Sequence, residues 1–219
     1  MLLSEELYLS VKDIWDSYNE HPFVKGIANG NLELDKFRYY MIQDYLYLLD
    51  YAKVFALGIV KAKDEETMRM FAQSVNSILN GETTIHKLYM DRLGITKEEV
   101  ESAEAALNNT SYTNYMLWVG QNEGLLELLV SVLSCSWSYK LIAEKIDETP
   151  GAREHEFFGE WIEGYTSKEY DESNEEIIKL VNKLGKNISK DQLDNLKLIF
   201  KNCSQYEYMF WDMAYNKSK

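Results

Sequence analysis

Residues 125–146 read LLELLVSVLSCSWSYKLIAEKI and include the longest apolar stretch of the chain. Apolar side chains recur in this stretch at three- and four-residue spacing, and one line of them runs through Leu128, Val132, Cys135 and Tyr139. Residues at these intervals share one face of an α-helix. The spacing therefore predicts a helix that turns this face, including the thiol of Cys135, toward a protein core.

The same spacing continues through almost the whole chain, and no stretch alternates apolar and polar residues over the length of a strand. Two prolines and 46% hydrophobic residues favour long helices around a large core. No cluster of Gly, Ser or Pro interrupts the pattern as a linker would. The sequence predicts one all-α domain over residues 1–219. Its helices are expected at 4–18, 34–63, 66–92, 97–106, 110–122, 123–146, 153–165, 167–184 and 190–215.

Turn residues support these boundaries. His21-Pro22 predicts an extended approach that points Phe23 inward, although an ordinary hydrophobic staple accounts for this segment equally well. The other turn signals are Asn29-Gly30-Asn31, Gly94, Thr149-Pro150-Gly151 and, as helix caps, Asn108-Asn109-Thr110.

Charge and cysteine content exclude several classes of function. The net charge is -13 and the pI is near 4.7, which disfavours binding to nucleic acid or anionic lipid. The N-terminus lacks the features of a signal peptide, and the apolar run Leu125–Trp137 is shorter than the roughly 20 residues that span a bilayer. We therefore expect a cytoplasmic protein in which the two cysteines are free thiols.

The second predicted helix carries a carboxylate on an apolar face. Asp44, Tyr47 and Tyr51 fall at i, i+3 and i+7, and the line continues to Val54 and Phe55. An unpaired buried charge costs several kcal/mol, so Asp44 needs hydrogen-bond donors or a proton. A structural hydrogen bond from a tyrosine hydroxyl explains Asp44 as well as a functional role does.

Cys135 is surrounded in sequence by serines, which permit close helix packing or an internal pocket. A cysteine on a core face is usually a small hydrophobic residue, so the position alone is not specific. A thiol with a pKa of about 8.5 costs roughly 2 kcal/mol to ionise at neutral pH. We therefore expect any reaction to begin with a thiol that passes its proton to a nearby carboxylate as it attacks.

Glu207 is the candidate for that carboxylate. It lies between Tyr206 and Tyr208 and close to Phe210 in the C-terminal helix, where burial would raise its pKa. Capping or pairing with a cation is the alternative interpretation. If the faces with Cys135, Asp44 and Glu207 converge, a thiol, two carboxylates and several rings would line one pocket suited to attacking an electron-poor ring.

Metal and cofactor sites are not predicted. Glu82 and His86 at i, i+4, with the run 154–156 (Glu-His-Glu), come nearest to a ligand set, but the sequence lacks the Glu-x-x-His pairs of a di-iron bundle. His86 is therefore expected to be a hydrogen-bonded structural residue. Phosphate-loop, Gly-x-Ser-x-Gly and Cys-x-x-Cys motifs are also missing from the sequence.

A set of segments, taken in order, carries a family resemblance. They are 21–24 (HPFV), 37–40 (FRYY), 43–48 (QDYLYL), Glu82-x-x-x-His86, Tyr112-Thr113-x-Tyr115, 133–139 (LSCSWSY), Trp161-Ile162-x-x-Tyr165 and 206–215 (YEYMFWDMAY). Together they resemble the TenA family, the class II thiaminases also called aminopyrimidine aminohydrolases. The resemblance extends over nearly the whole chain.

The resemblance implies a haem-oxygenase-like helical bundle that binds no haem, assembles as a homotetramer and acts in thiamin salvage. It implies hydrolysis of 4-amino-2-methylpyrimidines, with ammonia or the thiazole of thiamin leaving from the 5-methylene to give hydroxymethylpyrimidine. Cys135 matches the nucleophile, Asp44 the carboxylate that holds the pyrimidine amine and ring nitrogen, and Glu207 the acid or base near the thiol. The implied substrate-binding residues are Tyr47, Tyr112, Tyr139, Tyr165, Phe210 and Phe23, with His86 in a supporting position.

Two functions of other classes remain as alternatives. The same pocket could serve a non-catalytic protein that binds or senses a pyrimidine. A cofactorless or haem-linked oxygenase on a similar bundle is the other alternative, although no basic cluster is available for haem propionates.

Overall fold

The computed structural model describes residues 1–218; Lys219, the last residue of the predicted domain, lies outside them. The described residues form α-helices and connecting turns with no strand, which confirms the predicted all-α class. The helices are α1 (Leu3–Tyr18), α2 (Pro22–Ala28), α3 (Leu34–Lys61), α4 (Glu65–Asn76), α5 (Thr83–Arg92), α6 (Lys97–Ser102), α7 (Leu107–Asn122), α8 (Leu125–Asp147), α9 (Gly159–Tyr165), α10 (Lys168–Leu184) and α11 (Lys190–Asn216).

The chain divides into two compact units. Unit 1 consists of residues 1–32 and 129–211, and unit 2 consists of residues 33–128 together with the chain from Asp212 onward. The expectation of a single domain stays a prediction.

Unit 1 contains α1, α2, α9, α10 and most of α8 and α11. The buried stripe of α1 includes Leu7, Val11 and Trp15, which follow each other at intervals of four residues. The start of α1 is tied to α10 because the Ser4 N–H donates to Asn182 Oδ1 at 2.9 Å and Asn182 Nδ2 donates to Ser4 Oγ at 2.9 Å.

Unit 2 is built on α3, whose apolar line is buried as the spacing predicts. Tyr47, Tyr51 and Phe55 on this line are each 5% exposed or less. Helix α4 begins at the N-cap Asp64, whose side chain accepts from the Thr67 N–H at 2.9 Å. It packs closely on α3 because Gly58 leaves room for the ring of Phe71.

Helix α2 (Pro22–Ala28) was not predicted from the sequence. His21 is extended, as predicted, but its side chain caps a helix by accepting from the Phe23 N–H at 3.1 Å, with Pro22 in the first turn. Proline suits that position because its fixed φ matches a helix and its missing N–H has no partner to lose there. Phe23 is fully buried, as expected, and Gly30 ends the turn with φ +66°.

Other predicted features also differ from the structure, including the helix predicted over 97–106, which ends at Ser102. The helix predicted over 66–92 contains a π-helical segment, Ser77–Glu82, between α4 and α5. The helix predicted from residue 153 begins only at Gly159, because His155 Nδ1 accepts from the N–H of Phe157 at 3.2 Å and stabilises a turn there. Asn109 is not a cap but lies inside α7, where its Nδ2 donates to the Gln43 carbonyl at 2.8 Å.

Helix α8 is long and apolar enough to cross a membrane. The expectation that this apolar segment is too short to span a bilayer is therefore wrong. Most of the apolar window of α8 is buried inside the protein. The core helix of a soluble domain passes the same test of length and composition, and the burial identifies α8 as such a helix.

Candidate functional site

Cys135 lies in the middle of α8 in unit 1 and is a buried cysteine outside any disulfide, with 8% of its surface exposed. Its neighbours on the helix stripe, Val132 and Tyr139, are also buried. The side chain therefore has the low solvent exposure that the spacing predicts. Burial alone does not separate a nucleophile from a core cysteine.

Glu207 lies on α11 in the same unit and is only 2% exposed. Burial raises the pKa of the Tyr18 phenol well above its ordinary value, and the charges of Glu207 and then Cys135 raise it further. The charges of Glu207 and Cys135 therefore both act on the Tyr18 phenol. Burial likewise raises the pKa of the Cys203 thiol, with the charge of Glu207 as a second cause, so Cys203 is a poor nucleophile at neutral pH.

A buried polar network lies on the elements that carry these residues. Tyr18 donates its hydroxyl hydrogen to the Ser204 carbonyl at 2.5 Å, and Trp15 Nε1 donates to Ser204 Oγ at 2.9 Å. The hydroxyls of Ser134 and Ser204 are 3.0 Å apart. Ser134 precedes Cys135 in sequence, so the network connects the turn around the thiol to α1 and α11.

Three aromatic residues that the resemblance assigns to substrate binding, Tyr139, Tyr165 and Phe23, lie in unit 1 and pack against neighbouring rings. The centroid of Tyr139 is 5.0 Å from that of Tyr165 and 5.1 Å from that of Trp211. Phe23 lies 5.4 Å from Trp211, measured between ring centroids. Phe210 is 2% exposed on the same helix as Trp211. These spacings are typical of aromatic clusters that bury large areas.

Asp44 in unit 2 is 4% exposed, and its partner is a histidine. His86 Nε2 lies 2.6 Å from Asp44 Oδ2, and His86 Nδ1 lies 2.8 Å from the carbonyl oxygen of Glu82. The alternative of a tyrosine hydroxyl as the partner of Asp44 is therefore wrong. The expectation that His86 is hydrogen-bonded is confirmed.

Glu82 adds a second carboxyl group close to this pair. Burial raises its pKa to about 7, while the positive charge of His86 lowers it and the negative charge of Asp44 raises it. Glu82 ends the π-helical segment Ser77–Glu82, a type of element that is rare and often occurs at functional sites.

Tyr47 and Tyr112 are close to each other in unit 2. Their ring centroids are 5.5 Å apart, and Tyr47 stacks on Tyr51 at 5.2 Å. The hydroxyl of Tyr47 is 3.9 Å from Met116 Sδ. Tyr112 is fully buried.

The predicted site residues thus fall into two groups. Unit 1 holds Cys135, Glu207, Tyr139, Tyr165, Phe210 and Phe23, and unit 2 holds Asp44, Tyr47 and Tyr112. Their catalytic and binding roles stay predictions. Within residues 1–218, no group of three or more His, Cys, Asp and Glu side chains is arranged to hold a metal ion.

Sequence reasoning missed two neighbours of the predicted residues. Tyr18 is 117 positions before Cys135 in the chain, so no local spacing connects them. Ser204, which accepts from both Tyr18 and Trp15, is likewise a tertiary neighbour. Ser204 could have been found only from its i, i+3 spacing to Glu207, which places both residues on one face of α11.

Known proteins resemble this chain over its whole length. A family model described as the TENA/THI-4/PQQC family matches residues 8–217. A protein named aminopyrimidine aminohydrolase from Helicobacter pylori is 49% identical over 98% of this chain and 99% of its own. One of the same name from Halalkalibacterium halodurans is 44% identical over 99% of this chain and 97% of its own.

Solved structures give the same result for the fold. The TenA homologue protein from P. horikoshii OT3 superposes with a TM-score of 0.90 and 27% identity over 99% of both chains. A domain with a heme oxygenase-like fold from Shewanella denitrificans superposes with a TM-score of 0.78 over 97% of this chain and 92% of its own. At 16% identity the second likeness shows the fold alone, and the predicted haem-oxygenase-like fold is confirmed.

Proposed function

The chain belongs to the TENA/THI-4/PQQC family, and we propose that its residues hydrolyse aminopyrimidines in the following way. It is a hydrolase of thiamin salvage, as its relatives at 44% and 49% identity are named aminopyrimidine aminohydrolase. The reaction replaces an amino group, or the thiazolium of thiamin, on the 5-methylene of a 4-amino-2-methylpyrimidine with a hydroxyl from water.

Cys135 is the nucleophile in this proposal. Its sulfur forms a bond to the electron-poor ring carbon next to the one that bears the methylene, and the thiol proton passes to Glu207. Electron density moves toward the exocyclic carbon, the bond to the leaving group breaks, and an amine leaves as ammonia with the proton from Glu207. Water then adds its oxygen to the methylene, the carbon–sulfur bond breaks, and the proton that water releases passes through Glu207 to the sulfur, which returns the thiol.

Glu207 is the acid and base because it is buried on the same unit as Cys135. The observation that supports the pairing is the pKa of Tyr18, which burial raises first and the charges of Glu207 and Cys135 raise further. In this proposal the proton passes between Cys135 and Glu207 directly or through one water molecule.

The Asp44 carboxylate accepts hydrogen bonds from the 4-amino group and from a protonated ring nitrogen of the pyrimidine, and the tyrosines and phenylalanines bind the flat ring. The resemblance to the family supports these assignments. In unit 1, the rings of Tyr139, Tyr165 and Phe23 each lie 5.0 to 5.4 Å, between centroids, from a neighbouring ring. Stacking on an aromatic face contributes about 1 kcal/mol per ring to binding.

The surroundings in which the protein works are part of the proposal. We infer a cytoplasmic homotetramer that uses no cofactor and binds neither nucleic acid nor membrane. The net charge of -13 supports the absence of nucleic-acid and membrane binding, because the protein repels phosphate groups and anionic lipids.

Product analysis tests the function. The purified protein is incubated with 4-amino-5-aminomethyl-2-methylpyrimidine in ¹⁸O-labelled water, and ammonia and hydroxymethylpyrimidine are measured. We expect stoichiometric ammonia and one ¹⁸O atom in the product. Tight binding of the pyrimidine by calorimetry without any product would instead favour a non-catalytic binding protein. Oxygen consumption would favour an oxygenase.

A further inference from the structure

The contact between Asp44 and His86 is buried and short. Its side chains are 6% and 8% exposed, and Nε2 is 2.6 Å from Oδ2. Asp44 lies on α3 and His86 on α5, 42 positions further along the chain. A buried pair of this kind excludes water, so its members depend on each other for hydrogen bonds.

The second nitrogen of His86 determines where the protons are. Nδ1 is 2.8 Å from the Glu82 carbonyl oxygen, one helical turn before it. A carbonyl oxygen only accepts, so Nδ1 carries a hydrogen. Without a further proton, the lone pair of Nε2 would face the Asp44 carboxylate at 2.6 Å. The pair therefore holds one shared proton between Nε2 and Oδ2.

The charges around the ring favour placing that proton on the imidazole. Burial lowers the pKa of His86, but the hydrogen bond and negative charge of Asp44, with the Glu82 carbonyl and carboxyl, raise it, and the net shift is upward. Asp44 and Glu82 are the titratable groups that act on this ring. The hydrogen bonds of both ring nitrogens likewise favour an imidazolium paired with the Asp44 carboxylate.

We propose that His86 is a positioning residue for aminopyrimidine hydrolysis, because its Nε2–H fixes the orientation of the Asp44 carboxylate and keeps the proton that this pair shares. The inference rests on the proposed function, which assigns Asp44 to the pyrimidine amine and ring nitrogen. Among residues 1–218, His86 is the hydrogen-bond partner of this carboxylate, through Oδ2, which leaves Oδ1 for the substrate. The Glu82 carbonyl in turn fixes the imidazole ring.

Steady-state kinetics give the first test. His86→Leu removes both ring nitrogens, whereas His86→Gln keeps one N–H donor near the position of Nε2 but no mobile proton. In the Leu variant we expect KM to rise and kcat to fall roughly 100-fold. In the Gln variant KM should recover to near the wild-type value while kcat stays low. His155→Gln is the matched control, because His155 accepts from the Phe157 N–H in a turn of unit 1 and should leave both constants unchanged.

A double-mutant cycle separates action through Asp44 from a general structural effect. If His86 acts through Asp44, His86→Gln should cause no further loss of kcat/KM in an Asp44→Asn background. Losses that multiply would overturn the inference. Melting temperatures of all variants identify any that fold poorly.

Nitrogen NMR tests the protonation state without any substitution at His86 and without activity. The chain has three histidines, so ¹⁵N-histidine spectra are simple to assign. At pH 7 we expect both nitrogens of His86 to be protonated, and this signature should disappear in Asp44→Asn. A neutral His86 ring in the wild type would overturn the inference. An inactive wild-type enzyme would instead overturn the proposed function, so the two failures are distinguishable.

Discussion

Asp44 and Glu207 are both buried carboxyl residues, with 4% and 2% of their surface exposed, yet we assign them different roles. Asp44 is paired with His86, whereas Glu207 lies in unit 1 with the thiol of Cys135. The two residues should therefore respond differently to replacement by the neutral amide.

Steady-state kinetics measure that difference. Glu207→Gln removes proton transfer and should lower kcat by roughly 100-fold or more with little change in KM. Asp44→Asn removes a contact to the substrate in both the ground state and the transition state, so it should raise KM and lower kcat. Equal effects of the two substitutions on both constants would contradict the division of roles.

Glu82 makes stability depend on pH. Because burial raises its pKa from 4.5 to about 7, its contribution to stability is fully present below pH 4.5 and is lost as the pH rises through 7. Glu82→Gln removes a carboxylate that is costly to bury when ionised. Thermal unfolding from pH 5 to pH 8 should show Tm falling more steeply in the wild type than in the variant. Parallel curves would show that Glu82 does not titrate in the folded protein over this range.

The sequence predicted which residues are buried more reliably than it predicted their hydrogen-bond partners. The burial of Asp44 and Cys135 followed from helix spacing alone. The pairing of Asp44 with His86 did not, because the two residues lie on different helices and are brought together by tertiary packing. A buried carboxylate indicates that a partner is required but not which one.

Close packing of α3 on α4 depends on a glycine. A Cβ atom at Gly58 would lie 2.3 Å from the ring of Phe71. Gly58→Ala should therefore destabilise the protein by about 1 to 3 kcal/mol and lower Tm by several degrees. Gly164→Ala is the control, because no atom lies within 4 Å of a Cβ there, and helix propensity predicts unchanged or slightly higher stability. Equal Tm values for the two variants would contradict this packing.

Long amphipathic helices were predictable, and short or irregular elements were not. Helices α1, α3, α10 and α11 begin within one residue of the predicted positions, because their buried stripes repeat over several turns. Helix α2 has seven residues and a proline at its start, so its pattern was too short to recognise. The π-helical segment Ser77–Glu82 uses ordinary helix-forming residues, and no residue type indicates the wider turn.

Assembly is tested at the scale of the whole molecule. The chain has a mass of 25.6 kDa, so the proposed homotetramer should sediment with about four times that mass. Analytical ultracentrifugation at micromolar concentration measures this directly. A species with the mass of one chain or of two chains would contradict the tetramer.

The overall architecture was predictable from composition and periodicity, and its family from the order of short motifs. The all-α class followed from apolar residues at helical spacing and from two prolines. The division into two compact units could not be predicted from the sequence, because α8 and α11 continue from one unit into the other without a linker. A change of unit inside a helix leaves no turn signal in the sequence.

The rate of ammonia release by two serine variants tests whether the sulfur of Cys135 carries out the reaction. Cys203 is the matched control because it is the other buried free thiol and has a raised pKa caused by burial. We predict that Cys135→Ser loses at least about 1000-fold in kcat, whereas Cys203→Ser keeps activity near that of the wild type. Ammonia release by Cys135→Ser at the wild-type rate would contradict the account.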